Sequence, residues 1–91
     1  MSDELLELAD RALKTRKCDN ELDVLIECAL FEPDTIYRAA RPNNAGTKVI
    51  YTEHEGRERT CWATDWARVD RRTVTAARLR ARASHLRMEV E

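Results

Sequence analysis

The sequence predicts an α+β domain in the order α-α-β-β-β-α: a three-stranded antiparallel meander with two helices before it and one after. Three observations carry this. Apolar residues recur at helical spacing in the first thirty positions and again after position 70. Between them, Thr47 to Ala63 (TKVIYTEHEGRERTCWA) alternates in strand fashion around Glu55-Gly56, the pattern of a β-hairpin. Pro33 and Pro42 bracket one more β-rich run.

In the first helix, expected over 3–16, Leu5, Leu8, Ala9 and Ala12 form a stripe that Leu6 and Leu13 widen. Ser2 suits the N-cap, and Asp3 and Glu4 suit the positive end of the helix dipole. Cys18-Asp19-Asn20 breaks the pattern, and Asp19 or Asn20 caps a second helix carrying Leu22, Leu25, Ile26, Ala29 and Leu30. Phe31 extends it, and Pro33 ends it, because the residue before a proline avoids the helical well. A short linker lets these two helices form an αα-hairpin.

The first strand is expected over 35–40 at a sheet edge. Arg41 to Gly46 is turn chemistry, since proline fixes φ while asparagine and glycine accept positive φ. In the second strand, 47–53, Val49, Tyr51 and Glu53 face one way and Lys48, Ile50 and Thr52 the other. The third, 57–63, sets Cys61 and Ala63 against Thr60 and Trp62, and continuation to Arg68 would align Trp62 with Trp66. Helices on one or both faces suit such a meander, and large apolar residues on both faces make the second arrangement plausible. Asp70 and Thr73 are candidate N-caps for the last helix, which ends near Met88, its core stripe being Ala76, Leu79, Ala83, Leu86 and Val90.

The 91 residues form one domain, residues 1–91, which buries roughly 60–65% of its unfolded surface. No apolar run approaches the ~20 residues that span a bilayer, and the acidic start MSDELLELAD is unlike a signal peptide. A soluble cytoplasmic protein with no membrane role is expected. Cys18, Cys28 and Cys61 are an odd number without close spacing, which suits free thiols. The net charge of −1 is unevenly spread: residues 1–32 carry −5, 33–59 carry +1 and 60–91 carry +3.

Motifs for chemistry are weak. Glu53-His54-Glu55 joins two carboxylates to an imidazole, but adjacent strand residues point to opposite faces, so a solvated hairpin tip is the expectation. Cys18, Cys28, Cys61, His54 and His85 show no CxxC, HxxxH or HExxH spacing. Gly46 and Gly56 each belong to a turn, leaving none for a phosphate loop. No enzymatic activity, cofactor or metal is expected.

The last helix is the best candidate for function. On its wheel Arg71, Arg78 and Arg82 line one flank of the Leu79 stripe, and Arg80 and Arg87 the other. The face opposite Leu79 carries Val74, Ala77, Ala81, Ser84 and Met88 rather than charge. A second apolar stripe edged by arginine suits a closely approaching surface: helix 1, a second copy or a foreign protein. Trp66, between sheet and helix, is the tryptophan expected to anchor a partner. The partner-binding set is therefore Trp66, Arg71, Arg78, Arg80, Arg82 and Arg87, and the self-association set, for a homodimer, is Val74, Ala77, Ala81 and Met88. The same arginines could meet nucleic acid, although acidic helices 1 and 2 would repel a polyanion.

The run Glu21-Leu22-Asp23-Val24-Leu25-Ile26-Glu27-Cys28-Ala29-Leu30, followed by extended segments and by Ala76-Ala77-Arg78-Leu79-Arg80-Ala81-Arg82-Ala83, resembles small phage and prophage proteins of the α/β/α-sandwich type. Those open on an ELD…I…AL helix and close on an alanine- and arginine-rich one. The likeness spans roughly residues 20–83; the middle here is shorter and lacks the proline-tyrosine-threonine segment often found there. The resemblance brings no assigned activity or site residues. It implies a phage-encoded protein acting in the host cytoplasm, and by context an inhibitor of the anti-CRISPR type that occludes a host protein or ribonucleoprotein complex.

Overall fold

The computed structural model describes residues 2–90, with side chains described for 3–86. The elements are α1 (Ser2–Lys14), α2 (Asn20–Leu30), β1 (Tyr37–Pro42), β2 (Val49–Glu53), β3 (Glu58–Cys61) and α3 (Arg72–Val90), the expected order. The strands form one antiparallel sheet, β1-β2-β3.

The layering follows from which stripe meets which. α1 and α3 pack along each other in antiparallel fashion: Arg72 Nη1 donates to Thr15 O at 3.1 Å, while Arg80 pairs with Asp10 one end further on. Leu5, Ala9 and Ala12 of α1 meet Ala76, Leu79 and Ala83 of α3, and Leu22 and Ile26 of α2 close this cluster. Val24, on the opposite side of α2 by the 100° rule, is also buried, where α2 meets β1 and β2. α2 is thus the central layer, between a helix pair and a sheet. Its apolar surface is divided between the two, so α1 pairs chiefly with α3, not with α2 as an αα-hairpin.

All described helices lie on one side of the sheet, since neither α1 nor α3 approaches a strand. Helices on both faces, and the α/β/α sandwich implied by the resemblance, are therefore not what the described residues form. Pairing of Arg41 with Ile50 and Thr60, and of Ala39 with Thr52 and Glu58, places those residues on the uncovered face. There the Arg41–Glu58 ion pair (2.7 Å) and a long Arg41–Thr52 hydrogen bond (3.4 Å) roof over Thr52.

Local chemistry sets the boundaries. Asp19 is the N-cap of α2, its Oδ1 accepting the Leu22 N–H at 3.1 Å. β2 and β3 are shorter than expected, while β1 keeps six residues but is shifted to take in Arg41 and Pro42, which were expected in the turn. β2 starts at Val49 because Asn43 Oδ1 holds the N–H groups of Thr47 (2.9 Å) and Lys48 (3.2 Å) in the turn. β1 begins two residues late, since Asp34 Oδ1 takes the Ile36 and Tyr37 N–H groups, both at 2.7 Å; these bonds hold the Asp34 carboxyl below its ordinary range. β3 stops at Cys61 and does not run on to Arg68. Neither Asp70 nor Thr73 caps α3: the helix opens at Arg72, with the Thr75 N–H donating to Arg71 O, and Asp70 is taken by Arg68 at 2.8 Å. The Ser2 cap and the Val90 core position lie outside the described side chains.

The β2–β3 loop of His54, Glu55 and Gly56 needs a left-handed residue, and Gly56 sits at φ 102°. A Cβ there would meet nothing within 4 Å, so a Gly56→Ala change acts through the backbone alone. We expect it to lower the unfolding free energy by about 1–2 kcal/mol, read as a lower urea midpoint at unchanged m-value. A larger loss would mean that the tip makes packing contacts in solution.

Candidate interaction surfaces

α3 presents two faces. Thr75, Ala76, Leu79 and Ala83 are buried. Opposite them Val74 is 64% exposed, and Ala77, Ala81 and Ser84 are exposed beside it. Helix 1 takes the Leu79 stripe, so of the three surfaces expected for the second stripe only a second copy or a foreign protein remains. Met88, the fourth self-association residue, and Arg87 lie outside the described side chains.

The arginines divide. Arg80 pairs with Asp10 at 3.6 Å. Arg82, half-buried, donates to Glu32 at 2.6 Å and to Phe31 O at 3.5 Å. Arg78 lies over the Trp66 ring at 4.9 Å, and Arg71 is exposed. The charge polarity of the sequence is thus partly satisfied inside the chain, acidic α1 against basic α3. What borders the outer stripe is Arg71 and Arg78.

Trp66 does not stand clear. It packs against the helix core, and its Nε1–H donates to Glu27 Oε1 at 2.5 Å. The same carboxylate accepts the Tyr51 hydroxyl and, at 3.4 Å, the Thr64 N–H. Four residues earlier, buried Asp23 accepts the Ala67 N–H at 2.7 Å. Two acids of α2 therefore hold the segment joining β3 to α3, and Thr75 Oγ1 adds a bond to Trp66 O at 2.7 Å. Burial raises the Asp23 carboxyl above its usual range, the Ala67 N–H opposing this and Asp65 and Asp19 reinforcing it. Burial also pushes the Cys28 thiol up to about 11, with Glu27 adding to it, so this cysteine stays a thiol. The Tyr51 phenol is raised by burial first and by its bond to Glu27 second. Cys18, Cys28 and Cys61 are all free.

The exposed tryptophan is Trp62, at 69%, with the Lys48 ammonium 4.6 Å from its ring centroid. Sequence reasoning placed Trp62 among packing residues. The signal was its pairing with Lys48 and Thr60 on one strand face, which is mixed in polarity rather than uniformly apolar. At the hairpin tip, His54 Nε2 lies 2.7 Å from Asp34 O, and the His54 main-chain N–H donates to Ile36 O, which ties the tip to the segment before β1.

An open groove of about 580 Å³ runs between α1, α2 and the end of α3, with Leu5, Leu8, Leu25 and Leu86 among its walls. Among the described residues no three His, Cys, Asp or Glu side chains converge as a metal site. No helix among them is long and apolar enough to cross a membrane. No protein-family model matches this chain, and no curated protein or solved structure matches it either.

Proposed function

We propose that the chain is a non-enzymatic protein-binding module that acts by occlusion, offering the outer face of α3 to another protein. The observation that carries this is the stripe of Val74, Ala77 and Ala81, exposed opposite a fully packed face. A helix buried on one side ordinarily turns charge outward. This one turns out small apolar residues, which let another surface come close, and borders them with Arg71 and Arg78, which favour an acidic rim on the partner. A nucleic-acid role is the weaker reading, because Arg80 and Arg82 already face carboxylates and α1 and α2 add negative charge nearby. The finer reading, a phage-encoded inhibitor of a host defence complex, rests on the resemblance alone.

The test compares the wild-type chain with the double variant Ala77→Glu/Ala81→Glu, which leaves the buried face intact. Host protein retained on immobilised wild type is purified and titrated against both, and DNA and RNA are titrated at roughly 50 and 200 mM salt. Expected is a protein complex weakened by the double variant at least about tenfold. Equal affinity for both, or binding of nucleic acid that falls steeply with salt, overturns the assignment.

A further inference from the structure

We propose that two copies of this chain join through β3, edge to edge and antiparallel, into one continuous six-stranded sheet. The first support is the direction of the main-chain groups. The Glu53 N–H donates to Arg57 O, and β2 and β3 pair without a slip from Thr52↔Glu58 to Val49↔Cys61. Main-chain groups alternate along an antiparallel strand. Arg57, Arg59 and Cys61 therefore turn theirs to β2, and Glu58 and Thr60 turn theirs to the open edge.

The second support is the asymmetry of the two edges. β1 is guarded against pairing: it carries Pro42, and its register slips between Tyr37 and Ala39. Those are devices that keep an edge from recruiting another strand. β3 has neither proline nor bulge, and Glu58, Arg59 and Thr60 are exposed along it.

The third support is complementarity with itself, which selects a second copy as the occupant. With the two-fold axis on Thr60, Thr60 faces Thr60, Glu58 faces Trp62 of the second copy, and Arg59 faces Cys61. No like charges stand opposite one another, and each Glu58 comes beside the Lys48 that lies over Trp62. Moving the axis to Arg59 would set the two Arg59 side chains opposite each other, which is unfavourable. A two-fold pairing of this kind closes on itself. The interface uses no residue of α3, so a dimer would present two copies of the α3 outer face.

The experiment is sedimentation equilibrium of the full chain up to ~0.5 mM, a range that populates weak interfaces. Expected for wild type is a concentration-dependent rise from 10.6 kDa towards twice that mass. Thr60→Lys places two cations on the axis and should weaken association at least about tenfold. Ala77→Glu/Ala81→Glu should leave it unchanged. Circular dichroism confirms that each variant is folded. Register is read separately: Arg59→Cys faces Cys61 of the second copy in the closely spaced class of pair, about 4.5 Å between Cα atoms, within disulfide reach. Oxidation should give a covalent dimer that Cys61→Ser abolishes. A wild type monomeric throughout the range overturns the proposal, even if the edge binds an acidic peptide. So does a dimer insensitive to Thr60→Lys, or one lost with the α3 variant.

Discussion

Leu79→Ala is expected to cost about 3–4 kcal/mol of unfolding free energy, the largest loss from any single truncation on α3. Leu79 is fully buried at the centre of the cluster that joins α1, α2 and α3. Large-to-small changes of this kind cost the transfer free energy of the removed atoms plus the energy of the cavity left behind, about 2–5 kcal/mol in total. The upper half of that range applies because Ala9, Ala12, Ala76 and Ala83, its partners in the cluster, are too short to collapse into the space. A domain of this size has roughly 5–10 kcal/mol in hand, so the variant should be close to unfolding at 37 °C. Leu79→Met, which nearly conserves volume, should cost under about 1.5 kcal/mol. Val74→Ala, on the exposed side five residues earlier, should lie within about 0.5 kcal/mol of wild type. Urea titrations followed by far-ultraviolet circular dichroism give all three. A Leu79→Ala protein within about 1 kcal/mol of wild type would remove the α1–α3 seam as the main core.

The two faces of that seam were legible, though not their pairing, because both stripes are local: five or six apolar residues at helical spacing on each side identify a packed face before any partner is known. α2 was equally plain, down to Asp19 as one of two candidate caps. The outer face of the sheet was not. Ile50 and Trp62 on one face read as buried, yet the fold covers that face with an ion pair and a lysine rather than a helix. Strand alternation says which residues share a face and nothing about what lies above it. The start of α3 was misread for a related reason. Asp70 and Thr73 have the right chemistry for a cap, but Arg68 competes for Asp70, and the Trp66 carbonyl with the Thr75 hydroxyl fixes where the helix begins. The roles of Asp23 and Glu27 depend on residues 24 to 44 positions away. One signal was present in the sequence. Asp19, Asp23 and Glu27 stand at i, i+4 and i+8, a spacing at which like charges repel in an isolated helix. A row of acids beside a core stripe asks for donors from elsewhere.

Those donors make Glu27→Ala the second large effect. Its carboxylate accepts from the Trp66 indole, the Tyr51 hydroxyl and the Thr64 main chain. Truncation leaves two half-buried aromatic donors without their acceptor. At about 1–3 kcal/mol for each unsatisfied buried donor, reduced here because water reaches both rings in part, a loss of about 2–3 kcal/mol is expected. The near-ultraviolet circular dichroism of Trp66 should change with it. Asp23→Ala orphans the Ala67 N–H and should cost about 1–3 kcal/mol. Both acids anchor one segment, so the double variant should lose less than the sum of the two. Asp23→Asn separates hydrogen bonding from charge. Asparagine keeps an acceptor for Ala67 and removes a carboxylate whose folded-state pKa is raised. A raised carboxyl favours the fold most below its unfolded pKa, and that contribution is lost as pH rises through the folded value. The asparagine variant should therefore equal or exceed wild type at neutral pH and lose that advantage on acidification. Were Asp23→Asn as damaging at pH 7 as Asp23→Ala, the ionised carboxylate itself would be what holds the β3–α3 segment.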